Sequence, residues 1–393
     1  MRALTLFLLL LNLCSFADDN TTVDGVLSQN KTQQFGYDKE KNNAEASKLR
    51  DSWIAPILLN YSYMKSNPTK YTQTDKSFSV KINQPIFQSG GIYFGIKYAD
   101  AFKKYSNTSV EVAKRQAIKG VVNIYLQIKK LDLQIKKQKL NIANTKIKLE
   151  QNKELYLNGQ LESGFLDNSI IDKNNAILMM YDLKTQKEKL VTQFVSLSDS
   201  NYKTLSLPLF KNLSKDEFLK NNLVLKQNRQ QIQKDRYFKN VKVAKYLPKV
   251  SLTGGYNWFE SDLSSDYSYY NYGVSLSMPL DINSFKDVES SEVDYLKSKL
   301  LLADKKKEEI SLFEQVQKNL KNYDFKISLS RENLKLYEKL LDDTKQLFEA
   351  GYKSKYDVEL LQNSCDISKL DVEIYTLDKQ LELLNLYEVY EKI

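Results

Sequence analysis

Apolar positions recur at two different periods along this chain. Val121, Ile124, Ile128, Leu131, Ile135, Ile142 and Leu149 follow 3-4 spacing, with Gln138 and Thr145 as polar interruptions. Phe313, Val316, Leu320, Tyr323, Ile327, Leu334, Tyr337, Leu341 and Phe348 do the same. A seven-residue apolar repeat sustained over several turns predicts long helices supercoiled left-handedly against partners. The first seam has a second apolar column beside it, at Leu126, Leu133, Leu140 and Ile147. Such a helix packs on two sides, as a stave in a ring does, although an ordinary helical bundle fits the seams equally well.

Strict alternation marks the other regions. Phe78, Val80 and Ile82 alternate with Ser77, Ser79, Lys81 and Asn83, while Tyr270, Tyr272, Val274, Leu276 and Met278 alternate with Asn271, Gly273, Ser275 and Ser277. Partner segments lie near 56–64 and 249–258, the latter alternating Val250, Leu252, Tyr256 and Trp258 with polar residues. Segments of about ten residues with one apolar face fit transmembrane β-strands, and equally a half-buried soluble sheet. The count of four strands separates these readings. Four cannot close a barrel, because about eight are needed, and an open apolar sheet would aggregate at its edges. Several chains sharing one barrel removes the difficulty.

Proline and glycine confirm the division. All six Pro lie outside the long helical stretches, at 56, 68, 85, 208, 248 and 279, as expected of a residue that breaks helix interiors. Pro56 and Pro248 are 192 residues apart, as are Gly159 and Gly351, Val121 and Phe313, and Leu149 and Leu341. One unit is therefore repeated. The first repeat spans 18–200, with a helix at 22–50, a strand pair at 56–84, a long helix at 96–158 and a helix at 165–199. A connector follows at 201–213. The second repeat spans 214–393, with a helix at 214–245, a strand pair at 247–278, a long helix at 286–350 and a helix at 356–391. The shorter helices act as half-rods. Those at 165–199 and 214–245 sum to nearly one long rod, and so do those at 22–50 and 356–391. The expected fold class is mixed α and β: a long α-helical barrel continuous with a shared transmembrane β-barrel, with four strands and four helical columns per chain.

Composition narrows the chemistry. The 393 residues hold 58 Lys and Arg against 49 Asp and Glu, no His and two Cys. Without His there is no Ser-His-Asp or Cys-His nucleophile and no imidazole metal site, so no catalytic residue, metal site or cofactor is expected. Mean hydropathy of −0.50 and the lack of an apolar run near 18 residues exclude helical spans. Arg2, the apolar stretch Ala3 to Leu13 and Ser15-Phe16-Ala17 read as a signal peptide at 1–17. Leu13 before Cys14 argues against lipidation. Loss of Cys14 would leave Cys365 as a lone, inert thiol. Lysines interspersed with Glu and Asp along the helices read as solvated faces rather than a nucleic-acid surface.

Three stretches, Ser77 to Gly91 (SFSVKINQPIFQSGG), Tyr246 to Tyr256 (YLPKVSLTGGY) and Leu347 to Asn363 (LFEAGYKSKYDVELLQN), together with the duplication, resemble the TolC family of outer-membrane efflux ducts. The family's helix turn has Gly, a small polar residue, then Asp-hydrophobic. Here these are Gly351, Ser354, Asp357 and Val358, and Gly159, Ser163 and Asp167 with wider spacing. The resemblance implies a homotrimer in outer-membrane lipid that reaches into the periplasm. Its partners would be a periplasmic adaptor and an inner-membrane pump of RND or ABC type, in efflux or type I secretion. It implies a periplasmic gate at Asp357, Lys353, Glu359 and Phe348, with Asp167 as the first repeat's counterpart. Phe348 stands where some members have Tyr, so a hydroxyl tether is missing. Adaptor contact is expected at Gly159, Gln160, Leu161, Gly351 and Tyr352, and lipid contact at Phe78, Val80, Ile82, Leu252, Tyr256, Val274 and Leu276. The competing reading is a non-conducting coiled-coil envelope scaffold, which needs neither strand pairs nor duplicated Gly turns.

Overall fold

A computed structural model describes residues 23–67, 72–262 and 264–391. The expected signal peptide at 1–17 lies outside the described residues. A 3-10 turn, Val23–Val26, precedes α1 (Gln29–Arg50). Then come β1 (Leu58–Ser66), β2 (Gln73–Phe87), α2 (Gly91–Leu157) and α3 (Ser163–Leu197). The second half repeats the order with α4 (Lys215–Lys220), α5 (Leu223–Lys245), β3 (Lys249–Ser261), β4 (Ser264–Ser277), α6 (Ser284–Glu349) and α7 (Lys355–Tyr387). α2 and α6, with 67 and 66 residues, are each about 100 Å long at 1.5 Å per residue.

Two differences from the sequence reading have local causes. The first helix starts at Gln29 rather than near 22, because Ser28 caps it: the Ser28 side chain accepts from the Lys31 N–H at 3.4 Å. The helix expected at 214–245 is broken at Asn221-Asn222. Asn222 caps α5 by accepting from the Leu225 N–H at 2.9 Å, the short polar side chain offering the backbone an alternative to continued helix.

The half-rods join differently from the expected pairing. The Ser28 N–H donates to the Leu197 carbonyl at 3.0 Å, and the Gln29 N–H to Asp199 Oδ2 at 2.8 Å, so the start of α1 abuts the end of α3. The Leu223 N–H donates to the Val389 carbonyl at 2.7 Å, and Asn222 bridges Tyr390, so α5 abuts the end of α7. The columns are thus α3 on α1 and α7 on α5. Length alone allowed either pairing; the backbone bonds at the two joints decide it.

Around these joints lies the main packed core. Val121, Val122, Ile128 and Tyr125 of α2, Phe194 of α3, Phe218 of α4, Val316 and Leu320 of α6, and Leu383 and Leu386 of α7 are buried there. The connector crosses it, held by Tyr125 Oη donating to the Leu205 carbonyl at 2.5 Å. One carboxyl is buried in the same layer. Glu309 of α6 accepts from Asn222 Nδ2 at 2.8 Å, and burial pushes its pKa up.

The four strands form one antiparallel sheet in chain order β1-β2-β3-β4. Directly paired residues share a face, and the register sorts the side chains accordingly. Leu59, Tyr61, Phe78, Val80, Trp258, Tyr256, Leu252, Tyr270, Val274 and Leu276 stand on one face. Ser77, Ser79, Lys81, Asn83, Thr253, Asn257 and Asn271 stand on the other. A cleft of about 410 Å³ lies mainly on that polar face, where a Cβ at Gly255 would stand 2.7 Å from Asn271 Oδ1.

Candidate gate at the helical tip

α2 and α6 each end in a left-handed glycine, Gly159 (φ 70°) and Gly351 (φ 82°). The bonds around them repeat. The Gly159 N–H donates to Tyr156 O and the Gln160 N–H to Leu155 O, both at 2.9 Å. The Gly351 N–H donates to Phe348 O at 2.9 Å and the Tyr352 N–H to Leu347 O at 2.8 Å. This pair of bonds satisfies carbonyls that the helix end would leave orphaned, and it requires positive φ at the residue that turns.

The return helices start differently. Ser354 and Asp357 form a reciprocal capping box: Ser354 Oγ accepts from the Asp357 N–H at 3.2 Å, and Asp357 Oδ2 accepts from the Ser354 N–H at 3.0 Å and from its hydroxyl at 2.9 Å. The bond from the Ser354 backbone lowers the Asp357 pKa most, the Ser354 hydroxyl adds to this, and Lys353 contributes a smaller electrostatic pull. The carboxylate therefore stays ionised with one oxygen engaged. Glu359 lies 3.5 Å from Lys355. Phe348 and Tyr352 are exposed.

In the first hairpin Glu162 stands at the N-cap, without a side-chain bond, and no acid lies in the first turn of α3. Gly159 and Gly351 each precede their N-cap by three residues, so Phe165 occupies the place of Asp357. Asp167 lies two residues further along, exposed. The wide Gly-to-Asp spacing is a difference in composition, not an inserted loop, and Asp167 is not Asp357's positional counterpart.

A residue that the sequence reading passed over ties the hairpins together. Tyr356 Oη donates to Glu154 Oε1 at 3.1 Å, from the first turn of α7 to the last of α2, and this bond raises the Tyr356 pKa. Polar pairs continue up the α2–α7 contact: Asn363 to Asn144 at 2.8 Å, Lys137 to Asp371 at 2.6 Å and Lys130 to Asp378 at 2.6 Å. These are about one heptad apart on α2, which places them in a single stripe. Among the described residues no group of three or more acids or thiols could hold a metal ion, and no helix is long and apolar enough to cross a membrane.

Long staves, an amphipathic sheet and paired Gly turns define a channel-tunnel fold. The fold is shared with the outer membrane channel CmeC of Campylobacter jejuni (TM-score 0.72, 14% identity, 94% of this chain and 86% of that one). It is also shared with the outer membrane protein VceC of Vibrio cholerae (TM-score 0.73, 12% identity, 93% and 94%) and with the open state of the Neisseria gonorrhoeae MtrE outer membrane channel (TM-score 0.68, 10% identity, 93% and 86%). No curated protein matches by sequence. Residues 215–389 match the family model described as outer membrane efflux protein.

Proposed function

We propose that three copies of this chain close into a twelve-stranded barrel set on a twelve-column helical tunnel, and that the trimer is the passive outer-membrane exit duct of an efflux or type I secretion machine. The observation that carries this reading is the sheet. It has one apolar face, one polar face, and two edge strands, β1 and β4, that run antiparallel to each other. The β4 edge of one copy can therefore pair with the β1 edge of the next without reversing direction, and a closed ring leaves no edge. A scaffold has no use for such a sheet. Exposed apolar residues on the outer flanks of the sector, Phe325, Leu329 and Leu336 of α6 and Ile171, Leu178 and Met179 of α3, supply faces for neighbouring staves. The apolar sheet face, Phe78, Val80, Ile82, Leu252, Tyr256, Val274 and Leu276 included, would meet lipid.

In this reading the tip is the periplasmic gate. Three Asp357 carboxylates would form a cation-binding ring, flanked by Lys353, Glu359 and Phe348. Gly159, Gln160, Leu161, Gly351 and Tyr352 would meet a periplasmic adaptor, which links the duct to an inner-membrane pump. The duct performs no catalysis.

Cysteines introduced on the outer edges of β1 and β4 test the architecture. Disulfide-linked trimers in the outer-membrane fraction are expected, and a soluble monomer would overturn the proposal. For the gate, Asp357→Ala should change single-channel conductance and weaken cation block in planar bilayers. Unchanged values would remove Asp357 from the gate.

A further inference from the structure

Helix α5 carries seven Lys and Arg against one acid. Toward α6 this charge is answered: Lys239 pairs with Glu292 at 2.7 Å and Lys242 with Asp287 at 3.0 Å. Toward α2 it is not. A cleft of about 560 Å³ opens there, lined by Lys97, Lys104, Lys226 and Arg229, with Asp100 as its one carboxylate. Lys226 holds Glu391 at 2.5 Å and Lys97 lies over the Tyr93 ring. Lys104 and Arg229 are exposed and make no ion pair among the described residues. Gathering like charges around a concavity is unfavourable unless something negative fills it.

A buried polar atom without a partner lies beside these charges. Gln230 lines the cleft, and its Oε1 is buried without a hydrogen-bond partner. Turning the amide over would place its N–H₂ there as a donor, an exchange that the shape of the side chain allows at no cost in volume. The position also keeps the cleft open. α2 and α5 are flanked by α1 and α6 of the same chain, so a neighbouring copy would not cover it.

We propose that the α2–α5 cleft binds a phosphate-bearing anion, with the Arg229 guanidinium and Lys104 ammonium on the phosphate oxygens and the Gln230 amide donating from the floor. Arg suits this because its planar fork engages two oxygens at once. The site is defined by α2 and α5 alone and does not rest on the duct reading.

The test uses the full-length chain in detergent at low ionic strength, with inorganic pyrophosphate as the soluble probe and dihexanoyl phosphatidic acid as the lipid probe. Calorimetric titration should show saturable binding that weakens at least tenfold in Lys104→Gln/Arg229→Gln. It should be unchanged in Lys335→Gln/Lys345→Gln, which removes the same charge from the exposed side of α6. Circular dichroism should be the same for all three proteins. Pyrophosphate binding identifies a soluble anion. Binding of phosphatidic acid alone, lost in the cleft variant, supports the site with the phosphate supplied by lipid. Equal weakening in the α6 variant, or no binding of either probe, would overturn the proposal.

Discussion

The equator and the tip are built from the same helices in opposite ways. At the equator, Phe194 and Phe218 are fully enclosed, a connector straps the columns, and two half-rod joints are sealed by backbone bonds. At the tip the hairpins carry Phe348 and Tyr352 exposed, and a tyrosine–carboxylate bond joins them. Apolar burial scales with area removed from water, whereas exposed polar contacts are each worth about 1 kcal/mol or less. The comparison teaches that this molecule concentrates its stability in its waist and leaves its end adjustable.

The largest expected effect probes the waist. Phe194→Ala should cost about 3–5 kcal/mol, read as a fall in the denaturation midpoint. Leu347→Ala at the tip, where the residue is 43% exposed, should move that midpoint much less. Equal losses would erase the distinction. Next comes Asn222→Ala, which uncaps α5 and leaves the Glu309 carboxyl buried without its donor. A loss of about 2–4 kcal/mol is expected, and adding Glu309→Leu should recover part of it in thermal unfolding.

At the tip, Gly351→Ala meets open space but must hold φ 82°, at a cost of about 1–2 kcal/mol. Hydrogen exchange should speed up around 347–354 while global unfolding stays in place. Ser354→Ala should fray the same turn by about 1 kcal/mol.

The smallest effect is a divergence in pH response. Asp357 has a lowered pKa, so its cap is complete above the ordinary carboxylate range and is lost as pH falls through the depressed value. Glu309 has a raised pKa, so the stability it contributes grows as pH falls and is lost as pH rises through the raised value. Between pH 7 and 5, protection relative to the intrinsic amide exchange rate should rise near 309 and 222 and stay constant near 357. Parallel responses would show that the two carboxyls share one environment.

The periodic elements were legible because period is a local property. The seam from Val121 to Leu149 and the alternation from Tyr270 to Met278 located helix and strand within a few residues. The left-handed positions at Gly159 and Gly351 followed from the turn they punctuate. What escaped depended on distance along the chain. Tyr356 and Glu154 are 202 positions apart, and nothing in either neighbourhood marks the other. The stacking of α1 on α3 rests on Ser28 meeting Leu197, where rod lengths allowed a different pairing. Lysines read as evenly solvated proved unequal once α2 and α6 took different sides of α5. The wider Gly-to-Asp spacing in the first repeat is explained by Phe165, which stands at the position of Asp357 in a turn of the same length and leaves Asp167 two residues further along.

The end-to-end joints have a mechanical consequence. Two of the four columns are cut at the equator and two, α2 and α6, run through it unbroken. A cut column can pivot at its joint, but a continuous one must bend or twist. Rotation applied at the lower end would reach the sheet only as torsion in two rods about 100 Å long, and the cut pair would act as bearings that absorb it.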